Sequence, residues 1–261
     1  MTADSGLLQS LLPLALSFML ALARIGGAVM LLPGIGEAAV PQMLRAGFAA
    51  LLTALLLPVL PIPDFAAQGA AFSPILLLVL LAHELAIGIW LGIMARLFML
   101  ALPLAGQVIS YQIGLSSVIT PDLELGAEST LLSSVFGMFA TTLILVTGLY
   151  ALPLQALAAS YHLLPVGLGL PAGGVLQIAE RLTARSFELS IQLAMPFLVA
   201  GLLWQTGLGI ISKLVPQLQI FLVALPGQTL GGIFLLALLG GAIAQAWARG
   251  TAFGFTRLLT G

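Results

Sequence analysis

The sequence predicts an all-α polytopic membrane protein of about six long apolar helices, folded as one unit over residues 1–261. Three observations predict it. Only 8 residues are basic and 9 acidic, so charged residues make up 7% of the chain, against roughly 25% in an ordinary soluble domain. The apolar share is 61%, where about 45–50% is usual. The charge-free stretches are long: 5–23, 46–63, 65–83, 97–121, 129–179, 189–212 and 214–248. Each approaches or exceeds the roughly 20 apolar residues that a bilayer-crossing helix needs. A freely soluble globule needs many more charges to keep its surface wet.

Proline and glycine divide these stretches into elements. Helix 1 is expected over about 7–32, stopped by Pro33-Gly34. No Lys or Arg precedes Arg24, so the basic start of a cleavable signal is missing and helix 1 is expected to stay in the mature protein. Helix 2 covers about 43–60 and ends in Pro58 and the Pro61-Ile62-Pro63 turn. Helix 3 runs over about 74–102, with Pro74 suited to a first turn. Helix 4 covers about 128–152 and stops before Pro153, and 153–164 makes a short seventh helix. Helix 5 spans about 174–212 with Pro196 as a kink, and helix 6 spans about 217–247. Alternate connections would carry Arg45, Arg96 and Lys213 on one side and Arg181, Arg185, Arg249 and Arg257 on the other. That is no clear positive-inside bias, which suits helices set by partners.

Several chemistries are excluded at this level. With no cysteine, disulfides, thiolate catalysis and Cys-ligated metals are out. His83-Glu84 lacks the second histidine of a zinc-protease helix, since Ile87 stands there. No phosphate loop, nucleophile elbow or dinucleotide fingerprint occurs. The reading is therefore neither an enzyme nor a holder of metal or cofactor. A net charge of −1 without a basic block argues against nucleic acid as a partner.

Four groups of residues stand out. Arg24, Glu84 and Arg96 are ions within apolar helices, where a charge at mid-depth costs about 2.5–3.5 kcal/mol on insertion scales. They read as a structural ion pair between helices 1 and 3 or to a neighbouring subunit, in preference to a proton path. Gly88 with Gly92, and Gly227 with Gly231, have the four-residue spacing that lets helix backbones approach. Gln205, Lys213, Pro216 and Gln217 form a polar hairpin where helix 5 turns into helix 6. The segment 106–128 is the fourth, with Gly106, Gln107, Ser110, Tyr111, Gln112, Ile113, Gly114 and Leu115 at its start. It is too polar for a lipid-facing helix and too apolar for a watery loop. Irregular backbone at membrane depth survives only inside protein or along an aqueous cavity, so this partly irregular segment is expected to face a pore or a protein interior.

These segments together resemble the FliR family, the R-type core subunits of the flagellar type III export gate, and its virulence-secretion counterparts. The matching blocks are Arg24-Ile-Gly-Gly-Ala-Val-Met-Leu-Leu-Pro33 with Val40-Pro41, and Glu84-Leu-Ala-Ile-Gly88-Ile-Trp-Leu-Gly92. Gly106-Gln-Val-Ile-Ser110-Tyr-Gln-Ile-Gly114 with Pro121-Asp122 follows, then Ser160-Tyr-His-Leu-Leu-Pro165. The last block runs from Ala194-Met-Pro196 through Gly207-Leu-Gly209 and Pro216-Gln217 to Phe221 and Pro226. Thr206, Lys213 and Gln219 depart from the family, which there carries an acidic residue or Asn, Arg and Asn. Lys213 keeps the charge but lacks the planar fork of arginine. The resemblance implies a non-enzymatic structural and gating subunit in the bacterial inner membrane, at the flagellar basal body. Its partners would be P-type and Q-type subunits, further export-apparatus membrane proteins, membrane lipid, and unfolded flagellar substrates in transit. The segment matching 106–122 would plug the pore. The alternative reading is a stand-alone secondary transporter or ion channel.

Overall fold

The computed structural model describes residues 2–62, 73–115, 119–121, 128–167, 172–214 and 220–260. Among these, seven α-helices and one short ribbon form: α1 (Thr2–Val29), α2 (Gln42–Leu56), α3 (Pro74–Ile113), β1 (Ile119–Pro121), β2 (Glu128–Thr130), α4 (Leu131–Thr147), α5 (Ala151–Leu163), α6 (Ala172–Leu214) and α7 (Ile220–Thr260). The two strands pair antiparallel, with Ile119 opposite Thr130 and Pro121 opposite Glu128. The all-α class therefore holds, with this three-residue ribbon as its only strand pairing among the described residues.

The helix ends follow from local chemistry. Ser73 Oγ accepts the Leu76 N–H at 3.2 Å and caps α3, with Pro74 in the first helical position. α3 runs past the expected stop near 102, continuing through Pro103 to Ile113. Neighbouring helices and side chains make up for the backbone bonds a proline removes in such helices. Gly114, at φ +79°, ends it. The expected break before Pro153 lies instead at Gly148 (φ +74°). Pro153 falls in the first turn of α5, where its missing N–H has no helical acceptor to lose. The short helix expected over 153–164 is α5.

Residues 1–96, 148–180 and 255–261 form one compact unit, and residues 97–147 and 181–254 another. In the first, Leu20, Leu80, Tyr161 and Val166 form a buried cluster with Leu60, Ile62 and Leu81 against it. In the second, Phe98, Leu102, Ile109, Ile144, Phe197 and Trp247 are among the buried side chains. Among the described residues, three helical segments are long and apolar enough to cross a membrane: Pro74–Ile113, Leu176–Leu214 and Ala224–Gly254. α4 and α5, counted as one interrupted span, would make a fourth. Arg96, Arg181, Arg185, Lys213 and Arg249 lie inside helices instead of in connections, because α3, α6 and α7 outrun their apolar stretches.

Candidate functional site

In the first unit, α1 and α3 meet along a seam of small residues. A Cβ on Gly88 would run into the Arg24 backbone carbonyl, and one on Gly92 would stand 2.9 Å from Ala28 O. From the other side, a Cβ on Gly27 would be 2.9 Å from Leu85 O. The backbones are thus as close as glycine allows. That closeness brings two ions together: Arg24 Nε donates to Glu84 Oε2 at 2.6 Å, both side chains fully buried. Arg24 Nη2 donates to Leu164 O at 2.9 Å and Nη1 to Ser160 Oγ at 3.3 Å. The guanidinium lies 4.2 Å over the Tyr161 ring. Gly167 N–H donates to Glu84 Oε1 at 3.4 Å, and Tyr161 OH donates to Ala21 O at 3.3 Å. The pair therefore fastens α1 and α3 to α5 and the turn after it. Arg96 is half-buried further along α3. Ser160, Tyr161 and Leu164 are absent from the sequence-based site. Their signal was the Ser160–Pro165 block, which nothing local linked to Arg24.

A second fastening holds the loop before α2. Arg45 donates to three carbonyls, Val40 O at 2.9 Å, Gly36 O at 3.4 Å and Glu37 O at 2.6 Å. A Cβ on Gly36 would stand 2.6 Å from Met30 O, so this turn admits glycine alone.

In the second unit the segment singled out for its mixed polarity begins as helix. Gly106 lets α4 approach α3, since a Cβ there would be 3.0 Å from both Leu132 O and Phe136 Cδ2. Gln107 Oε1 accepts from Thr130 N–H at 3.3 Å and Thr130 Oγ1 at 3.2 Å, while its amide donates to Tyr111 OH at 3.0 Å. Thr130 Oγ1 in turn accepts the Ser133 N–H at 3.4 Å and caps α4. Ser110 is fully buried, and its hydroxyl has no partner among the described residues. Tyr111 is exposed, Ile113 buried, and Gln112, Gly114 and Leu115 half-buried. Leu115 N–H donates to Ser110 O at 3.0 Å, closing the helix as a Schellman turn around Gly114. The irregular part thus starts at Gly114, later than expected, because the residues before it pack as an α-helical turn. The rest of the expected segment, 116–118 and 122–127, lies outside the described residues.

The other sequence-based sites separate. Among the described residues, the Trp204 ring is 3.5 Å from where a Cβ on Gly227 would sit, and nothing lies within 4 Å of one on Gly231. Gln205 and Lys213 are exposed on α6, and Pro216 and Gln217 lie outside the described residues. Thr206 Oγ1 donates back to Leu202 O at 2.8 Å. Among the described residues no group of three His, Cys, Asp or Glu side chains is placed to hold a metal.

Long apolar helices little covered by their own chain and a buried ion pair that fastens them define a helical membrane protein. The chain belongs to the bacterial export proteins, family 1, whose family model matches residues 15–253. It is 34% identical over 234 residues to the flagellar biosynthetic protein FliR of Caulobacter vibrioides, covering 87% of this chain and 90% of that one. It is 29% identical over 219 residues to FliR of Escherichia coli, covering 84% and 82%. Similarity extends to the Yop proteins translocation protein T of Yersinia pestis, 28% identical over 163 residues and 58% of each chain.

Proposed function

We propose that this chain is the R-type structural and gating subunit of a flagellar type III protein export channel. It works in the bacterial inner membrane as a multi-pass protein of the basal body, with residues 1–261 acting as one module. It assembles with P-type and Q-type subunits and passes unfolded flagellar substrates. The observation that carries the reading is the segment after Gly114. It leaves a closed helix end, and its return at Thr130 is bonded to Gln107 on α3. The stretch from Leu115 to Pro121 is uncharged, and such a stretch, held at its root, can seal a pore and still yield to a passing chain without a large electrostatic penalty. The Arg24–Glu84 pair supports a structural component over a stand-alone transporter, because among the described residues the guanidinium meets fixed acceptors and a ring of the chain itself.

Replacing residues 115–127 by a short Gly–Ser linker tests this while sparing α3 and α4. The idle, fully assembled complex reconstituted in vesicles should then leak ions well above the unaltered complex. Unchanged conductance in an intact complex would remove the plug from the reading.

A further inference from the structure

Charge on α6 and α7 begins at one level of the second unit. Three close contacts fix that level. Leu189 of α6 lies 2.9 Å from where a Cβ on Gly250 of α7 would sit. Ser186 Oγ of α6 donates to Leu97 O of α3 at 2.6 Å. The Phe98 ring fills the space beside Gly254 of α7, where an added Cβ would overlap it. Residues 97–98, 186–189 and 250–254 therefore share one cross-section of α3, α6 and α7. Arg185 and Glu188 on α6 and Arg249 on α7 stand at this level, and Arg181 lies within about two turns of it. Past it, residues 189–212 and 214–248 carry no charge. The α6 stretch alone makes about 36 Å of helix, enough for a hydrocarbon core of about 30 Å.

The three arginines are exposed. Arg185 Nη1 stands 3.9 Å from Glu188 Oε2, with side chains 57% and 55% exposed, a surface pair that contributes little and exchanges readily. The other Glu188 oxygen accepts from Gln192 Nε2 at 3.2 Å. Among the described residues neither Arg181 nor Arg249 has an ion-pair partner. Even with Glu180 and Glu188 in the same stretch, the arginines leave a net positive charge. On the uncharged side the exposed residues turn apolar: Ile191 and Met195 on α6 and, past Gln245, Ala242 and Leu238 on α7.

We propose that this level lies at the membrane headgroups, and that Arg181, Arg185 and Arg249 hold the headgroup of an anionic phospholipid whose acyl chains lie along the apolar strip beside them. Guanidinium forks match phosphate oxygens, and basic side chains at a membrane surface attract anionic lipid. An acyl chain reaches about 15 Å, half the hydrocarbon depth. It therefore covers Ile191 and Met195, while Leu203, Leu230 and Phe234, nearer Lys213, stay open to protein. An acidic protein segment would meet the arginines and leave the strip bare; a phospholipid covers both. The site rests on the membrane class of the chain and not on the export-channel reading.

The test titrates the purified complex in mild detergent with palmitoyl-oleoyl phosphatidylglycerol and, in parallel, with palmitoyl-oleoyl phosphatidylcholine. Native mass spectrometry counts the bound lipids. At least one phosphatidylglycerol should bind in preference to phosphatidylcholine. Arg181→Gln, Arg185→Gln and Arg249→Gln should each weaken that binding about fivefold, the ratio that ~1 kcal/mol per basic residue carries. Arg181→Lys, Arg185→Lys and Arg249→Lys combined keep the charge and should retain most of the binding. Equal affinity for the two lipids, or phosphatidylglycerol binding unmoved by all three Gln variants, overturns the proposal. So do Gln variants that shed a partner subunit and keep the lipid, because an acidic protein segment then occupies the arginines. If the chain purifies alone, the export-channel reading falls, and the same titration on the lone chain still decides the lipid site.

Discussion

Arg24 gives three donors to three acceptors on different parts of the chain: the Glu84 carboxylate, the Ser160 hydroxyl and the Leu164 carbonyl. Such pairing is what makes a buried ion tolerable, since an unpaired one carries the whole desolvation penalty. Removing one partner, as in Glu84→Gln, should destabilise the protein by about 3–5 kcal/mol, read by thermal unfolding of the purified complex. Replacing both, as in Arg24→Met with Glu84→Leu, should restore most of the loss, because apolar residues of similar volume often serve as well as a buried pair. A double variant that assembles normally and exports nothing would show that the ions take part in transport. The pairing of helices 1 and 3 was legible because ions in apolar helices need partners. Ser160 and Leu164 were not, because a hydroxyl and a carbonyl carry no charge signal and lie 136 and 140 residues away from Arg24.

Helices in this chain stop at glycine more faithfully than at proline. Gly114 and Gly148 adopt positive φ and close α3 and α4, whereas Pro13, Pro103, Pro196 and Pro226 all sit inside helices. Reading proline as a stop therefore misplaced the ends of helices 3 and 4, and the β1–β2 ribbon displaced the start of helix 4 from about 128 to Leu131, while the number and order of helices held. The four-residue glycine spacing shows the same limit. Gly88 and Gly92 meet α1, but Gly231 meets nothing among the described residues, because spacing fixes a shared helix face and not what covers it. The two sites should respond oppositely to alanine. Gly88→Ala drives a methyl into the Arg24 backbone and should cost at least about 1–3 kcal/mol. Gly231→Ala should be neutral or gain up to about 1 kcal/mol from helix propensity. Unfolding midpoints of the two variants in one detergent compare them directly, and equal losses would contradict the seam.

The protein as a whole leaves much of its apolar surface uncovered. Only 17% of the apolar window in Leu176–Leu214 and 11% of that in Ala224–Gly254 are buried within the chain. α3, α6 and α7 have 40, 43 and 41 residues, a contour of about 60 Å each. A hydrocarbon core of about 30 Å accommodates roughly half of that, and tilting absorbs only part of the excess. The exposed apolar faces of α6 and α7 are the surface that the proposed partner subunits would cover. A mild-detergent pull-down of the tagged chain from its own bacterium, read by native mass spectrometry, should therefore give a large complex holding this chain and several copies of two other small membrane proteins. A lone monomer or homo-oligomer would favour the transporter reading. Composition made the membrane class legible. The neighbours were not, since a lipid-facing leucine and a subunit-facing leucine have the same side chain.

The ion pair also orders events in time. Arg24 leaves the ribosome 60 residues ahead of Glu84, a wait of about 3–12 s at synthesis rates of about 5–20 residues per second. During that interval a guanidinium destined for a dry interior has no carboxylate to meet. The first helix must idle in water or at an interface until the third arrives, and the two then settle together. The fastening of the first helix thus joins helices that are not adjacent in the chain, and it closes only after the third has been made.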